Sequence, residues 1–192
     1  LSKISKVSIS TKSYNNKFGV PLSLFNLKQN DEYGILEVGM DKKGEIDYLS
    51  KIIEPNVGVI TNINYAHAKN FKNIKQIALA KSEIIKNIRP NGFVVLNADD
   101  NFYKLHKKIS HKKNLKVISF GIKSLKANIK LINIKPLGKK FKINISCNNK
   151  NKFFLLSNDF QNNIYNILSA LAVIGIYKNI LKLDKNIFLN FK

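Results

Sequence analysis

Through most of the chain, short apolar runs alternate with longer amphipathic stretches. The apolar runs have the length and the β-branched content of buried strands. They are Tyr33–Val38, Val57–Thr61, Phe93–Asn97 and Lys116–Phe120. Because strands that alternate with helices form βαβ units, this order predicts a parallel sheet with helices on both faces.

The amphipathic stretches place apolar residues every three or four positions, which is the period of a helix that buries one face. The most regular stretch predicts a single helix over Asn73–Ile88, ended by Pro90, Asn91 and Gly92. Further helices are predicted over Glu45–Ile53, Asp99–Ile109 and Gln161–Tyr177.

From about residue 127 to residue 157 the pattern changes to the two-residue alternation of strands. It predicts about three antiparallel strands, with turns at Pro136–Gly138 and Asn148–Asn149. A length of 192 residues fits one domain. The predicted fold class is therefore α/β, with a mostly parallel central sheet flanked by helices and a small antiparallel β insert.

The formal charge of +21 raises the possibility of a nucleic-acid-binding protein. The type and distribution of the charge favour a solvated surface instead. Arg89 is the only Arg, although Arg is the preferred side chain for bidentate contacts with phosphates and bases. The Lys residues are spread along the whole chain, and Asn and Ile are as abundant as expected from A/T-rich codons. We therefore expect no nucleic-acid partner.

Cys147 is the only Cys, so no disulfide can form within the chain. The first residues lack the apolar core of a signal peptide, and the longest apolar stretch, Ile164–Tyr177, is too short to span a bilayer. These features predict a cytoplasmic, monomeric protein without a membrane span.

Two residues that follow or lie within predicted strands are candidates for chemistry. Glu37 lies in an apolar strand, where a carboxylate is costly unless it is paired or bound to a metal. His67 follows the strand Val57–Thr61, close to the edge at which open parallel sheets bind ligands. A structural role remains open for both residues.

Lys81 lies among the apolar positions of its predicted helix. Burial lowers the pKa of a Lys side chain, although such a side chain often extends along the helix to reach solvent. A neutral amine in this position can react with carbon dioxide to form a carbamate, which resembles a longer carboxylate. Lys81 is therefore a candidate for modification as well as for a structural role.

Four segments, in this order, resemble motifs of the central domain of the Mur ligase family. They are Leu36–Gly39, Thr61–His67, Ala80–Ile84 and Leu96–Asp100. The resemblance covers nearly the whole chain and implies that Glu37, His67 and carbamylated Lys81 hold or orient Mg²⁺. Divalent cations neutralise the charge of two anionic groups that must approach each other.

A fifth segment points to one branch of that family. Asn15 and Asn16, followed by Gly19–Pro21, resemble the loop of the branch that joins D-alanyl-D-alanine to UDP-N-acetylmuramoyl-tripeptide. By this resemblance the chain belongs to an ATP-dependent amide ligase of peptidoglycan synthesis, which acts through an acyl phosphate. From the residues alone, the same segment is a strand-to-helix connection with Asn capping.

Near the end of the chain, Gln161–Asn166 resembles the start of the helix with which the family binds adenine. The resemblance implies that Asn163 and Asn166 bind ATP, together with Asn97 of the Leu96–Asp100 motif. Asn162 stands where the family has His, and an Asn-rich helix cap is the alternative interpretation.

The family's phosphate-binding loop is not found in this sequence, and neither are its N-terminal UDP-binding domain and its C-terminal domain. We expect residues 1–192 to be a central domain that is inactive alone. The alternatives are a Mur-type ligase for another acceptor (tripeptide-forming, folylpolyglutamate-forming or cyanophycin-like), a remnant without activity, or a basic nucleic-acid-binding domain.

Overall fold

The computed structural model describes residues 1–11, 13–65, 70–157 and 163–189. Its strands are β1 (Val7–Ile9), β2 (Tyr33–Ile35), β3 (Val57–Ile60), β4 (Phe93–Asn97), β5 (Lys116–Gly121), β6 (Ile129–Leu137), β7 (Lys140–Cys147) and β8 (Lys150–Ser157). Its helices are α1 (Gly19–Phe25), α2 (Glu45–Ile53), α3 (Ile74–Lys81), α4 (Tyr103–Lys112) and α5 (Ile164–Tyr177), with 3₁₀ helices at Ser82–Asn87 and Ile180–Lys182.

Within the described ranges, the strands form two sheets. β3 to β8 lie side by side in chain order in a six-stranded sheet, and β1 pairs with β2 in a two-stranded parallel sheet. The pairs β3–β4, β4–β5 and β5–β6 are parallel, whereas β6–β7 and β7–β8 are antiparallel. The predicted α/β class with a mostly parallel sheet is confirmed. The predicted antiparallel strands continue that sheet through β6, so they do not form a sheet of their own.

Strand β4 is covered on both faces, and this defines the layers of the domain. Val94 and Leu96 pack into a cluster with α3 residues such as Ile77. Val95 points to the opposite face and packs into a second cluster with α5 residues such as Leu168. Because successive side chains of a strand alternate between faces, helices must lie on both sides of the sheet.

The predicted strand Tyr33–Val38 is too long. Strand β2 ends at Ile35, so Glu37 follows the strand and its side chain is exposed. The expectation of a carboxylate buried in an apolar strand is therefore wrong for Glu37. The short strand β1 was not predicted, since three residues are too few to show a pattern.

The predicted helix Asn73–Ile88 is divided into two parts. Asn73 caps α3 by accepting a hydrogen bond from the Gln76 amide, and α3 ends at Lys81. The segment continues as a 3₁₀ helix, in which Glu83 and Asn87 bond to α2 and its cap. These tertiary bonds hold the second part against α2 in the tighter helix.

The predicted helix Asp99–Ile109 begins four residues later, at Tyr103. The carboxylate of Asp100 accepts a hydrogen bond from the amide of Phe102 at 2.8 Å, which favours a turn before the helix. The two hairpin turns occur where they were predicted, with positive φ at Gly138, Asn148 and Asn149. Among the described helices, none is both long and apolar enough to cross a membrane.

Candidate functional site

A cavity of about 340 Å³ opens where β3 and β4 end at their carboxyl sides. Its walls come from three segments: residues 61–64 after β3, residues of the 97–101 segment after β4, and residues 165–166 in the first turn of α5. Open parallel sheets bind ligands at this edge because the loops after neighbouring strands converge there. The cavity also has the volume of a small-molecule site.

Asn97 and Asn166, both predicted to bind ATP, line this cavity. Asn97 is buried, and its side-chain oxygen accepts a hydrogen bond from the Asp99 amide at 2.9 Å. Asn166 is exposed, and its amide group lies 3.5 Å from the side-chain oxygen of Asn163. Asn163 is therefore next to a cavity residue, although it does not line the cavity itself.

Lys81 reaches the cavity wall from the end of α3. Its Nζ donates a hydrogen bond to the backbone carbonyl of Asn62 at 3.1 Å, and Asn62 lines the cavity. Burial lowers the pKa of Lys81, and the negative charge of Asp100 opposes this change only in part. The expected half-buried amine with a lowered pKa is present.

Glu37 and Asn15 lie together at a second location, after β2. The Asn15 side-chain amide donates to the Glu37 carboxylate at 3.0 Å, and its carbonyl accepts from the Gly39 amide at 2.7 Å. A Cβ atom on Gly39 would lie only 2.9 Å from the Asn15 side chain, so this close approach requires glycine. Asn15 thus links the loop before α1 to the residues after β2.

Asn16 caps α1. Its side-chain oxygen accepts hydrogen bonds from the amides of Phe18 and Gly19, both at 3.0 Å. These donors have no partner inside the helix, so the cap stabilises the start of α1. Pro21 lies in the first turn, where a missing amide hydrogen has no cost.

His67 and Asn162 lie outside the described residues. Among the residues that the structure describes, no three His, Cys, Asp or Glu side chains are grouped as a metal site. A metal site made by Glu37, His67 and a carbamate on Lys81 therefore stays a prediction.

The buried carboxylate of this fold is Glu83, which is 5% exposed. It accepts hydrogen bonds from the Gly44 amide at 3.0 Å and the Asp47 amide at 3.2 Å. Gly44 is the cap of α2, so the negative charge lies at the positive end of that helix. Glu83 was noted only as a motif residue, because its partners lie almost 40 positions away.

His106 is also buried, at 2% exposed. Its Nε2 lies 3.0 Å from the Ala78 carbonyl, which only accepts, so Nε2 carries the proton. Burial lowers the pKa of His106, and the hydrogen bond to Ala78 opposes this change. His106 therefore ties α4 to the end of α3 that carries Lys81.

Two adjacent aspartates form the most connected part of the cavity wall. Asp99 accepts hydrogen bonds from the amides of residues 122–124 and from the Tyr165 hydroxyl. Asp100 accepts from the Ile63 amide at 2.8 Å, which ties the loop after β3 to β4. The Leu96–Asp100 motif contained this signal, yet the sequence does not reveal which amides the aspartates bind.

A second, larger cavity of about 470 Å³ lies at β6 and the loop before it, lined by residues such as Leu125, Lys130 and Asn149. None of the predicted site residues lines it. We place the candidate site in the smaller cavity, because that cavity combines Asn97, Asn166 and the partner of Lys81 at the carboxyl edge of the sheet.

Comparison with known proteins gives consistent relationships. Residues 1–174 match the Mur ligase middle domain family. The chain is 36% identical over 172 residues to the UDP-N-acetylmuramoyl-tripeptide–D-alanyl-D-alanine ligase of Rickettsia prowazekii, which covers 85% of this chain and 37% of that protein. It is 37% identical over 177 residues to the enzyme of the same name from Buchnera aphidicola subsp. Baizongia pistaciae, covering 90% of this chain and 37% of that protein.

Solved structures agree with this relationship. MurF from Acinetobacter baumannii superposes with a TM-score of 0.80 at 29% identity, covering 91% of this chain and 37% of that one. MurF from Thermotoga maritima, solved in complex with ADP, gives a TM-score of 0.82 at 24% identity, covering 95% of this chain and 42% of that one. The second likeness concerns the fold alone. The chain spans little more than a third of the length of the curated relatives described here.

Proposed function

Because the chain belongs to the Mur ligase middle domain family, we propose that it is the ATP-handling domain of an amide ligase of peptidoglycan precursor synthesis. The proposed reaction joins D-alanyl-D-alanine to UDP-N-acetylmuramoyl-tripeptide. The γ-phosphoryl group of ATP is transferred to the peptide carboxylate, and the amine of the dipeptide attacks the resulting acyl phosphate. The observation that carries this choice of substrates is the 36–37% identity, over 85–90% of the chain, to ligases named for them.

We place the nucleotide in the cavity at the carboxyl ends of β3 and β4. Asn97 and Asn166 line it, and Asn163 adjoins it. Side-chain amides both donate and accept hydrogen bonds, as the edge of adenine requires. The dense bonding around Asp99 and Asp100 favours a preformed site, which lowers the ordering cost of binding.

Magnesium is the second proposed cofactor, held by Glu37, His67 and carbamylated Lys81. The side chains described here have suitable chemistry: Glu37 is exposed and reachable, and burial lowers the pKa of Lys81, which favours the reactive amine. A carboxylate and a carbamate provide the oxygen ligands that Mg²⁺ prefers. When bound, Mg²⁺ would neutralise charge between the phosphates and the substrate carboxylate.

Asn15 and Asn16 form the proposed substrate loop. Asn15 is held by Glu37 and Gly39, while Asn16 caps α1. These contacts connect the loop to the proposed Mg²⁺ ligand Glu37. A loop fixed in this way would orient the peptide carboxylate towards the metal without a further ordering cost.

The test uses the protein translated from the complete reading frame that contains these residues. We expect phosphate release from ATP that requires both UDP-N-acetylmuramoyl-tripeptide and D-alanyl-D-alanine. Lys81→Ala should reduce kcat by at least about a hundredfold, since it removes a group that positions charge at the reacting centre. Lys75→Ala, on the exposed face of the same helix, is the matched control.

The acceptor is tested in the same assay. Single amino acids, glutamate oligomers and D-alanyl-D-alanine are compared at equal concentration. Faster ligation with an acceptor other than the dipeptide would replace the proposed substrate and keep the ligase class. Absence of ATP-dependent ligation with every acceptor would overturn the proposed function.

A further inference from the structure

Asp99 and Tyr165 join two walls of the cavity at the end of β4. We infer that these two residues are positioning residues that set the affinity of the cavity for a nucleoside triphosphate. They do so by fixing the first turn of α5 and residues 122–124 relative to Asn97. The inference rests on the proposed function, because it takes ATP as the ligand of this cavity.

The carboxylate of Asp99 is surrounded by donors from its own chain. It accepts hydrogen bonds from three successive amides, at 2.6 Å from Ile122, 3.0 Å from Lys123 and 2.7 Å from Ser124. The Tyr165 hydroxyl donates a fourth at 3.0 Å. Because a carboxylate accepts about four hydrogen bonds, Asp99 is saturated by the protein and acts through its partners.

The charge of Asp99 is maintained by these bonds. Burial alone would raise the pKa of its carboxyl group, but the amides of residues 122–124 and the Tyr165 hydroxyl together lower that pKa below its usual value. Hydrogen bonds to a charged acceptor are stronger than those between neutral groups. The bonds to Asp99 therefore hold both segments more firmly than a neutral side chain would.

The end of β5 is shaped to admit this carboxylate. A Cβ atom on Gly121 would lie 2.9 Å from Oδ1 of Asp99 and 3.1 Å from Oδ2, too close for an ordinary side chain. Glycine at this position lets the backbone after β5 approach Asp99 and present its amides. Gly121→Ala consequently disturbs the same contact from the opposite side.

Tyr165 anchors the start of α5. It is the second residue of that helix and is followed by Asn166, which lines the cavity. Asn163, the residue before the helix, makes no side-chain capping bond within the described part of the chain. The bond from Tyr165 to Asp99 thus ties the first turn of α5, and Asn166 with it, to the end of β4.

The decisive variant is Tyr165→Phe, which removes one hydroxyl and keeps the ring. In the complete protein we expect the Kd and the KM for ATP to rise by roughly five- to twentyfold, the effect of losing one charge-assisted hydrogen bond that positions the site. The value of kcat should stay within about twofold, because Tyr165 does not touch the reacting phosphate in this proposal. Gly121→Ala should raise the same two constants.

The matched control is Tyr177→Phe, at the opposite end of α5. It removes the same atom from the same helix, and the ATP constants should equal those of the wild type. If the wild type binds ATP and Tyr165→Phe binds it equally well, the inference is overturned while the proposed function stands. A parallel fall of kcat and melting temperature without a change in the ATP constants would overturn it as well.

Failure of the wild-type protein to bind ATP has a different meaning. It would overturn the proposed function, and this inference would fall with it. Because the wild-type measurement precedes the comparison of variants, the two failures are distinguished within one experiment.

Discussion

At the scale of single residues, Glu83 combines deep burial with a full negative charge. We predict that Glu83→Gln lowers the free energy of unfolding by about 1–3 kcal/mol, because the new amide group cannot accept the bonds from Gly44 and Asp47. Denaturation in urea measures the change. Glu54→Gln is the control: Glu54 is exposed, and its ion pair with Arg89 spans 3.6 Å, so the loss should be at most about 0.5 kcal/mol. Equal losses for the two variants would contradict the structural role of Glu83.

Lys81 provides a test of modification that does not depend on turnover. Because its pKa is lowered, its amine becomes neutral, and thus reactive with carbon dioxide, at a lower pH than that of an ordinary Lys. With ¹³C-labelled bicarbonate we expect a carbamate resonance whose intensity increases as the pH rises through that lowered pKa. Lys81→Gln should remove the resonance and Lys75→Gln should leave it. A signal that survives in Lys81→Gln would assign the carbamate elsewhere.

At the scale of elements, the turn between β7 and β8 depends on the backbone conformation of two residues. Asn148 and Asn149 have φ values of 48° and 67°, and the pairing of Cys147 with Lys150 closes the hairpin around them. Two-residue hairpins of this kind require positive φ at both positions. Asn149→Ala should therefore cost about 1–2 kcal/mol, whereas Asn149→Gly should cost nothing.

Thermal unfolding monitored by circular dichroism measures both variants of the turn. Asn149 is the better position to change because Asn148 also accepts a side-chain hydrogen bond from Asn128 at 3.1 Å. A loss of similar size with glycine would show that a side-chain contact of Asn149 matters more than its φ.

At the scale of the whole molecule, the charge of +21 predicts attraction to polyanions without sequence recognition. Since Arg89 is the only Arg, few bidentate contacts with bases are available. We expect elution from heparin and from DNA at similar salt concentrations, and Glu37→Gln and Lys81→Gln should leave this elution nearly unchanged.

Competition between DNA sequences completes this test. Binding to one duplex that persists at about 0.15 M salt against an excess of another would favour the nucleic-acid-binding alternative. Equal competition by every duplex would leave the surface charge as the whole cause of binding.

The sequence alone was sufficient wherever structure depends on neighbours along the chain. Helix α2 spans Glu45–Ile53 and strand β4 spans Phe93–Asn97, as their apolar periods predict. The positions of the two hairpin turns followed from residues that favour positive φ. The order of short motifs along the chain also indicated the family, which the match over residues 1–174 confirmed.

Tertiary structure decided which polar groups are buried and what they bind. Glu37 was expected to be buried and is exposed, whereas Glu83 is buried by partners 36 and 39 positions away. Tyr165 and Asp99 are 66 positions apart and meet only because β4 and α5 pack together. Periodicity reports which face of an element is apolar, but a hydrogen bond between distant segments depends on how those elements pack, and no local pattern encodes that arrangement.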